Sequence, residues 1–160
     1  MTVSLLVQRV ARDELTPGDD QLKSWVESGL QGDKTPYEVT IRLVDEAESR
    51  QLNATYRQRK SATNVLSFPA GIPEIIQLEL ESRSGSRPLG DLVICVPVVK
   101  REALEQEKAE MDHWAHLVVH GILHLLGHDH AEPEQAKAME KLEKDILASM
   151  QISDPYARKS

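Results

Sequence analysis

Between Trp114 and Leu126 almost every residue that is not histidine is apolar, a pattern that an ordinary surface helix does not carry. A helix of this composition is buried on most of its circumference, so the rest of the chain has to be built around it. Its continuation, HGILHLLGHDH at 120–130, packs four histidines into eleven positions. A lone histidine in such a stretch reads as a core residue bonded to a carbonyl, because buried polar groups are nearly always satisfied locally. Spacing changes that reading. His120 and His124 are four apart, which brings them within about 40° on one helical face and roughly 6 Å along the axis, a separation that two imidazoles can close around one metal ion. His116 and His128 extend the same series, so periodicity alone does not choose a third ligand. Gly127 does. A glycine just past a helical run is the usual left-handed cap, so the chain turns there, His128 leaves the helical face and His130 swings back.

The resulting His-x-x-x-His-x-x-Gly-x-x-His pattern resembles the spacing of the metzincin zinc site. Three histidines and one open position make a hydrolytic zinc centre, which predicts one Zn2+ per chain held by His120, His124 and His130. His128 is placed behind the ligands or at the rim, and His113 and His116 are read as structural. Zinc proteases carry a glutamate directly after the first histidine to pass a proton from water to the leaving amine. Here that position is Gly121. Its loss removes a general acid and base worth about 10²- to 10⁴-fold each, so peptide hydrolysis is the weaker reading. Phosphodiester hydrolysis demands less of such a residue, because a metal and a cation can stabilise the transferring phosphoryl group.

A formal charge of −7 argues against an unspecific nucleic-acid coat. The average hides a gradient. No acid lies between Glu48 and Glu74, while Arg50, Arg57, Arg59 and Lys60 supply four positive charges. An anionic partner would bind there; the alternative is a solvated basic loop. Hydrophobic residues at 40% and charged residues at 28% are globular values, and no apolar run approaches the roughly 20 residues that span a bilayer. A soluble protein with no membrane partner is expected. The absence of a basic leader before a long apolar segment, together with the single Cys95, suggests a reducing, cytoplasmic compartment.

Apolar periodicity alternates between strand and helix along the chain. Val3 to Val10 reads as a first strand, a helix starts near Thr16-Pro17 with Leu22, Trp25 and Val26 on one face, and Tyr37, Val39, Ile41 and Leu43 alternate as a second strand. Asp45 with Glu48 is a capping-box-like start for a short helix to Tyr56, after which the basic loop leads into TNVLSFP, a third strand. EIIQLEL, the polar turn SRSGSRP and LGDLVICV read as a hairpin. Pro97 opens a helix to about Glu110, Asp112 opens the histidine helix, and Pro133 opens a last amphipathic helix with Ala136, Met139, Leu142 and Ile146 inward. The expectation is an α+β fold, one domain over residues 1–160, with a small mixed sheet covered by about five helices around the buried histidine helix. Trp25, Trp114 and Cys95 are expected in the core, either tryptophan offering a base a stacking face if exposed.

HGILHLLGHDH resembles the signature of the YbeY family of bacterial endoribonucleases, His-Gly-x-x-His-Leu-x-Gly-x-Asp-His. YRQRKSATNVLSFP at 56–69 is similar to the family's second block and LGDLVI at 89–94 to its third, while EVTIRLVDEAESRQLN and the closing DPY extend the likeness over most of the chain. The resemblance implies a metal-dependent, single-strand-specific endoribonuclease that matures ribosomal RNA at the 16S 3′ end and serves quality control of the small ribosomal subunit. It implies ligands at His120, His124 and His130 and a functional arginine at Arg57. The family commonly has tyrosine at the position of His128, and the histidine here departs from that. Asp129 can orient His130 or bond local amides, Asp91 can face the site or serve as a turn residue, and Arg59 and Lys60 are candidate RNA contacts. Two rivals stand beside this reading: a zinc peptidase, and a non-catalytic ribosome-assembly factor whose metal only folds it.

Overall fold

A computed structural model of the protein describes residues 3–12, 15–71 and 73–157. Strand β1 (Ser4–Arg9) leads through helix α1 (Asp19–Leu30) to β2 (Tyr37–Val44), followed by α2 (Glu46–Arg57), β3 (Val65–Pro69), α3 (Glu74–Ser84), β4 (Arg87–Cys95), α4 (Val96–Glu105), α5 (Glu110–Leu125) and α6 (Pro133–Ser149). The four strands form one mixed sheet in the order β1-β2-β4-β3, with β1, β2 and β4 parallel and β3 antiparallel on the edge. The α+β architecture with a small mixed sheet is therefore as the sequence suggests.

Side-chain alternation assigns the two faces of the sheet. Val39, Ile41 and Leu43 of β2 and Leu92 and Ile94 of β4 turn to the main core, where they meet Leu22 and Val26 of α1 and Trp114, Val118 and Ile122 of α5. Val44, Val93 and Cys95 turn the other way into a smaller core with Leu66 and Val98. Helix α5 lies between the sheet and α6, and its close fit explains its glycine. A Cβ at Gly121 would stand 2.7 Å from Leu92 Cδ2, so only a hydrogen fits without displacing a fully buried leucine. Gly29 of α1 is fitted against Ile122 in the same manner, at 3.0 Å.

Three sequence expectations change. EIIQLEL is not a strand of a hairpin but most of α3, so six helices surround the sheet among the described residues instead of about five. Its glutamates, glutamine and leucines are strong helix formers, Glu79 and Arg83 pair at i, i+4, and Gly85 closes the helix at φ +82° with its N–H on the Glu81 carbonyl. The apolar alternation that suggested a strand belongs to side chains left exposed, Ile75 at 78% and Leu78 at 49%. β4 pairs instead with β2 and β3. The helix opened by Pro97 ends at Glu105, where Glu107 adopts φ +53°, and α5 begins at Glu110. The first helix starts at Asp19 with Gly18 as its cap, two residues beyond Pro17. Trp25 and Trp114 are buried at 4% and 0% exposure, which removes both as stacking faces for a base.

Candidate active site

The histidines converge at the C-terminal end of α5. Gly127 takes φ +101°, its N–H donates to the His124 carbonyl and that of His128 to the Leu123 carbonyl, the paired bonds of a left-handed helix cap. The chain turns back after this cap, so that one ligand-capable atom from each of His120, His124 and His130 lies within 4.8 Å of the others. The Nε2 atoms of His120 and His124 are 3.1 Å apart, close to the roughly 3.3 Å edge of a tetrahedron of nitrogens about 2.05 Å from a zinc ion. His128 is exposed and stands outside this group. Asp129 accepts the backbone N–H of His130 at 2.7 Å, fixing the turn.

A residue that sequence reasoning missed holds the first histidine. Glu143 of α6 is 0% exposed, and its Oε1 lies 2.5 Å from His120 Nδ1 and 3.2 Å from His116 Nε2, while Oε2 accepts the Tyr156 hydroxyl at 2.7 Å. Burial alone would raise the carboxyl's pKa, but the hydrogen bonds from His116, His120 and Tyr156 outweigh it and hold it at about 2. An ionised Glu143 requires the proton of His120 on Nδ1, which leaves Nε2 as a lone pair aimed at the other two histidines. The same bond accounts for the second possible metal trio, His116, His120 and Glu143: oxygen and nitrogen at 2.5 Å are hydrogen-bonded, too close to be two ligands of one ion. Burial pushes the His124 imidazole below its ordinary pKa and the neighbouring His120 and His130 push it further, so a neutral, ligating ring is favoured. The sequence signal for Glu143 was present: an ionisable residue four after Met139 and three before Ile146, inside the buried stripe of α6.

Arg57, the last residue of α2, faces the histidines across an open cavity of about 440 Å3 that His120, His124 and His130 line with Asn64, Ser67 and Pro69 of the β3 segment. Its Nη2 donates to the Ser67 carbonyl at 2.8 Å, and its guanidinium lies 5.1 Å over the Phe68 ring. The basic loop after it is anchored to α2: Asn53 donates to the Ser61 carbonyl at 2.8 Å and Ser49 exchanges two bonds with Thr63, both side chains being buried. Arg59 and Lys60 project from that loop as exposed cations. Asp91 does not reach the histidine cavity; it lines a separate groove on the other face of the sheet. The arrangement joins three nitrogens able to hold a metal, an oriented imidazole and a guanidinium across a cleft open to a chain-like anion.

Fold and site thus define an α+β protein with a metal-competent histidine centre beside a cationic cleft. The family model described as Endoribonuclease YbeY matches residues 11–151. The chain is 55% identical over 148 residues to Endoribonuclease YbeY of Pseudomonas putida strain W619, covering 92% of this chain and 89% of that one. It is 50% identical over 150 residues to Endoribonuclease YbeY of Pseudomonas syringae pv. syringae, covering 93% and 86%. The fold is shared with the solution structure of TM1509 from Thermotoga maritima, at a TM-score of 0.55 and 23% identity over 97% of this chain and 100% of that one. The chain belongs to the YbeY family.

Proposed function

We propose that this protein is a zinc-dependent endoribonuclease that cleaves single-stranded RNA in the cytoplasm, acting in 16S ribosomal RNA 3′-end maturation and in quality control of the small ribosomal subunit, with residues 1–160 working as one metallohydrolase domain. The observation that carries the chemistry is the opposition, across one cavity, of Arg57 to His120, His124 and His130. Membership of a family named for endoribonuclease activity supports RNA as the substrate. No described helix is long and apolar enough to cross a membrane, which accords with the compartment.

The donor set fits zinc: three imidazole nitrogens at mutual distances suited to a tetrahedral ion, a carboxylate fixing the tautomer of the first, and an open side facing the cleft. When bound, zinc supplies Lewis acidity toward a phosphoryl oxygen and lowers the pKa of water toward neutrality. The protein's own groups do the rest. Arg57, held at the cleft by the Ser67 carbonyl and the Phe68 ring, presents a permanent charge to the phosphoryl oxygens that become more negative in the transition state. Arg59 and Lys60, exposed on the loop that follows, attract the RNA backbone. Position 121 cannot provide a proton-carrying glutamate, because a Cβ there would run into the Leu92 side chain of β4. The free edge of β3 is likewise no open template for a peptide, since Arg57 already occupies the Ser67 carbonyl.

The test compares metal-loaded protein on matched single-stranded RNA, double-stranded RNA and casein. Cleavage of the single strand alone, abolished with metal content in His120→Ala, is the expected result. Casein hydrolysis, or retained RNA cleavage by metal-free His120→Ala protein, would refute it.

A further inference from the structure

On the face of the sheet away from α5, the second core takes in the C-terminal ends of β2 and β4, at Val44, Val93 and Cys95, and Leu66 near the start of the antiparallel β3. The remainder is open. Gln8, Thr40, Arg42, Tyr56, Phe68 and Asp91 line a groove of about 620 Å3 there, inside the roughly 300–1,000 Å3 range of small-ligand sites. It is separate from the histidine cavity but adjoins it at one contact: Arg57 lines the cavity and lies 5.1 Å over the ring of Phe68, which lines the groove.

Asp91 breaks a local rule in this groove. Aspartate is depleted from strands, yet this one sits exposed in β4, an interior strand of the sheet, its side chain with no hydrogen-bond or ion-pair partner among the described residues. A bulge puts it there. Glu38 faces Pro88 but Val39 faces Gly90, which makes Leu89 the extra residue, and Gly90 adopts φ +149°, where a Cβ would collide with the Phe68 carbonyl oxygen. The bulge lets both Leu89 and Leu92 face the main core and returns Asp91 to the open face, directly opposite Thr40 on one side and Phe68 on the other. Arg42, the one cation lining the groove among the described residues, is consumed: it grips both oxygens of Glu48 and donates to Gln8 Oε1. The groove therefore offers an unpaired carboxylate beside two aromatic rings whose centroids are 5.4 Å apart. That is hostile to phosphate and suited to a flat, neutral group rich in N–H donors.

We propose that this groove receives one nucleobase of the RNA strand whose backbone passes Arg57, and that Asp91 makes it prefer guanine; the inference rests on the endoribonuclease reading. Guanine is the base that offers two adjacent N–H donors, ring N1 and exocyclic N2, to the two oxygens of one carboxylate. Adenine and cytosine present a single amino group and uracil a single imino group. Bases of single-stranded RNA are commonly read on this edge while stacking on an aromatic ring or a guanidinium plane, and Tyr56, 59% exposed, and Arg57 provide both.

The test uses the full-length, metal-loaded protein and two short uridine-rich single strands that differ at one position, guanosine or inosine, the latter lacking the N2 amino group. Equilibrium binding and single-turnover cleavage are read on each. The expected result is a preference for the guanosine strand of roughly tenfold, collapsing to near unity in Asp91→Asn at unchanged metal content and melting temperature. Tyr56→Ala should weaken both strands together by about tenfold, the loss of a stacking face. Equal binding of the two strands by the wild-type protein, or an undiminished preference in Asp91→Asn, overturns the groove as a guanine site. Binding with this preference but no cleavage would leave the groove standing and sink the nuclease reading; cleavage of both strands alike would do the reverse.

Discussion

Replacing Glu143 by glutamine tests whether one buried carboxylate sets the chemistry of His120. The carboxylate accepts from His120 Nδ1 at 2.5 Å, a hydrogen bond to a charged acceptor. Glutamine keeps the volume but turns either a weaker amide oxygen or an N–H donor toward that nitrogen. In the second case the imidazole must carry its proton on Nε2, the atom 3.1 Å from His124 Nε2 that has to be a lone pair for metal binding. A hydrogen bond to a charged group contributes about 1.5–3 kcal/mol, which corresponds to roughly 10- to 150-fold in an equilibrium constant. The usual effect of removing a carboxylate behind a metal-binding histidine, about 10- to 100-fold, falls in the same range. Zinc affinity of Glu143→Gln, measured by competition with a chromophoric chelator at neutral pH, should therefore drop by one to two orders of magnitude, about 1.4–2.7 kcal/mol. Tyr156→Phe removes the donor to the far oxygen, Oε2, and a 3.3 Å contact with His116 Nε2, leaves the His120 bond in place, and should cost less than Glu143→Gln. A folded Glu143→Gln protein with wild-type zinc affinity would refute the tautomer argument.

His130→Ala should lose tight metal binding while His128→Ala keeps it, measured as metal per chain after dialysis; the reverse pattern would make His128 the third ligand. Arg57→Ala should leave metal content and melting temperature unchanged and lower single-turnover RNA cleavage by about 10²-fold or more, with Arg57→Lys recovering part; wild-type turnover would remove Arg57 from the mechanism. Gly121→Ala places a methyl against Leu92 and should cost about 1–3 kcal/mol of stability, seen as a Tm lower by roughly 2–12 °C, and Gly121→Glu should lose more stability and gain no proteolysis. Burial would raise the Glu102 pKa, but bonds from His113 at 2.9 Å and Asn64 at 3.0 Å hold it below the ordinary carboxylate value. A depressed folded pKa adds stability that is present above the unfolded value and lost as pH falls through the folded one. The acid limb of Tm against pH, below about pH 4.5, should accordingly be shallower in Glu102→Gln than in wild type.

What the sequence disclosed were features encoded within a few residues of one another. The end of α5 needs only Gly127 and the histidines around it, and the start of α2 needs only Asp45, whose side chain does accept the Glu48 N–H at 2.9 Å. Even there the reading stopped halfway, because the Glu48 side chain leaves the cap to bind Arg42 on β2. EIIQLEL was misread because alternation identifies a strand only when one face is buried, and α3 leaves Ile75, Ile76, Leu78 and Leu80 at 38% exposure or more. The geometry around Asp91 had no local signature, since the bulge that aims it depends on the pairing of Glu38 and Val39, some fifty residues earlier in the chain.

Gly121 shows why the charged groups of the site had to come from distant segments. The residue after His120 points at Leu92, so α5 can approach β4 only if that position is glycine, and the close approach that buries α5 excludes a carboxylate beside the first histidine. The charged groups around the histidines are then delivered from other elements: Glu143 from α6 behind His120, Arg57 from the end of α2 across the cavity. Neither is legible from the motif, because each is specified by the packing of its own helix. A carboxylate confined behind the ligands, at 0% exposure and fully hydrogen-bonded, orients an imidazole but cannot reach a scissile bond. That division of labour suits a reaction whose main requirement is positive charge opposite the metal, as phosphoryl transfer does, and leaves a peptide bond without its proton donor.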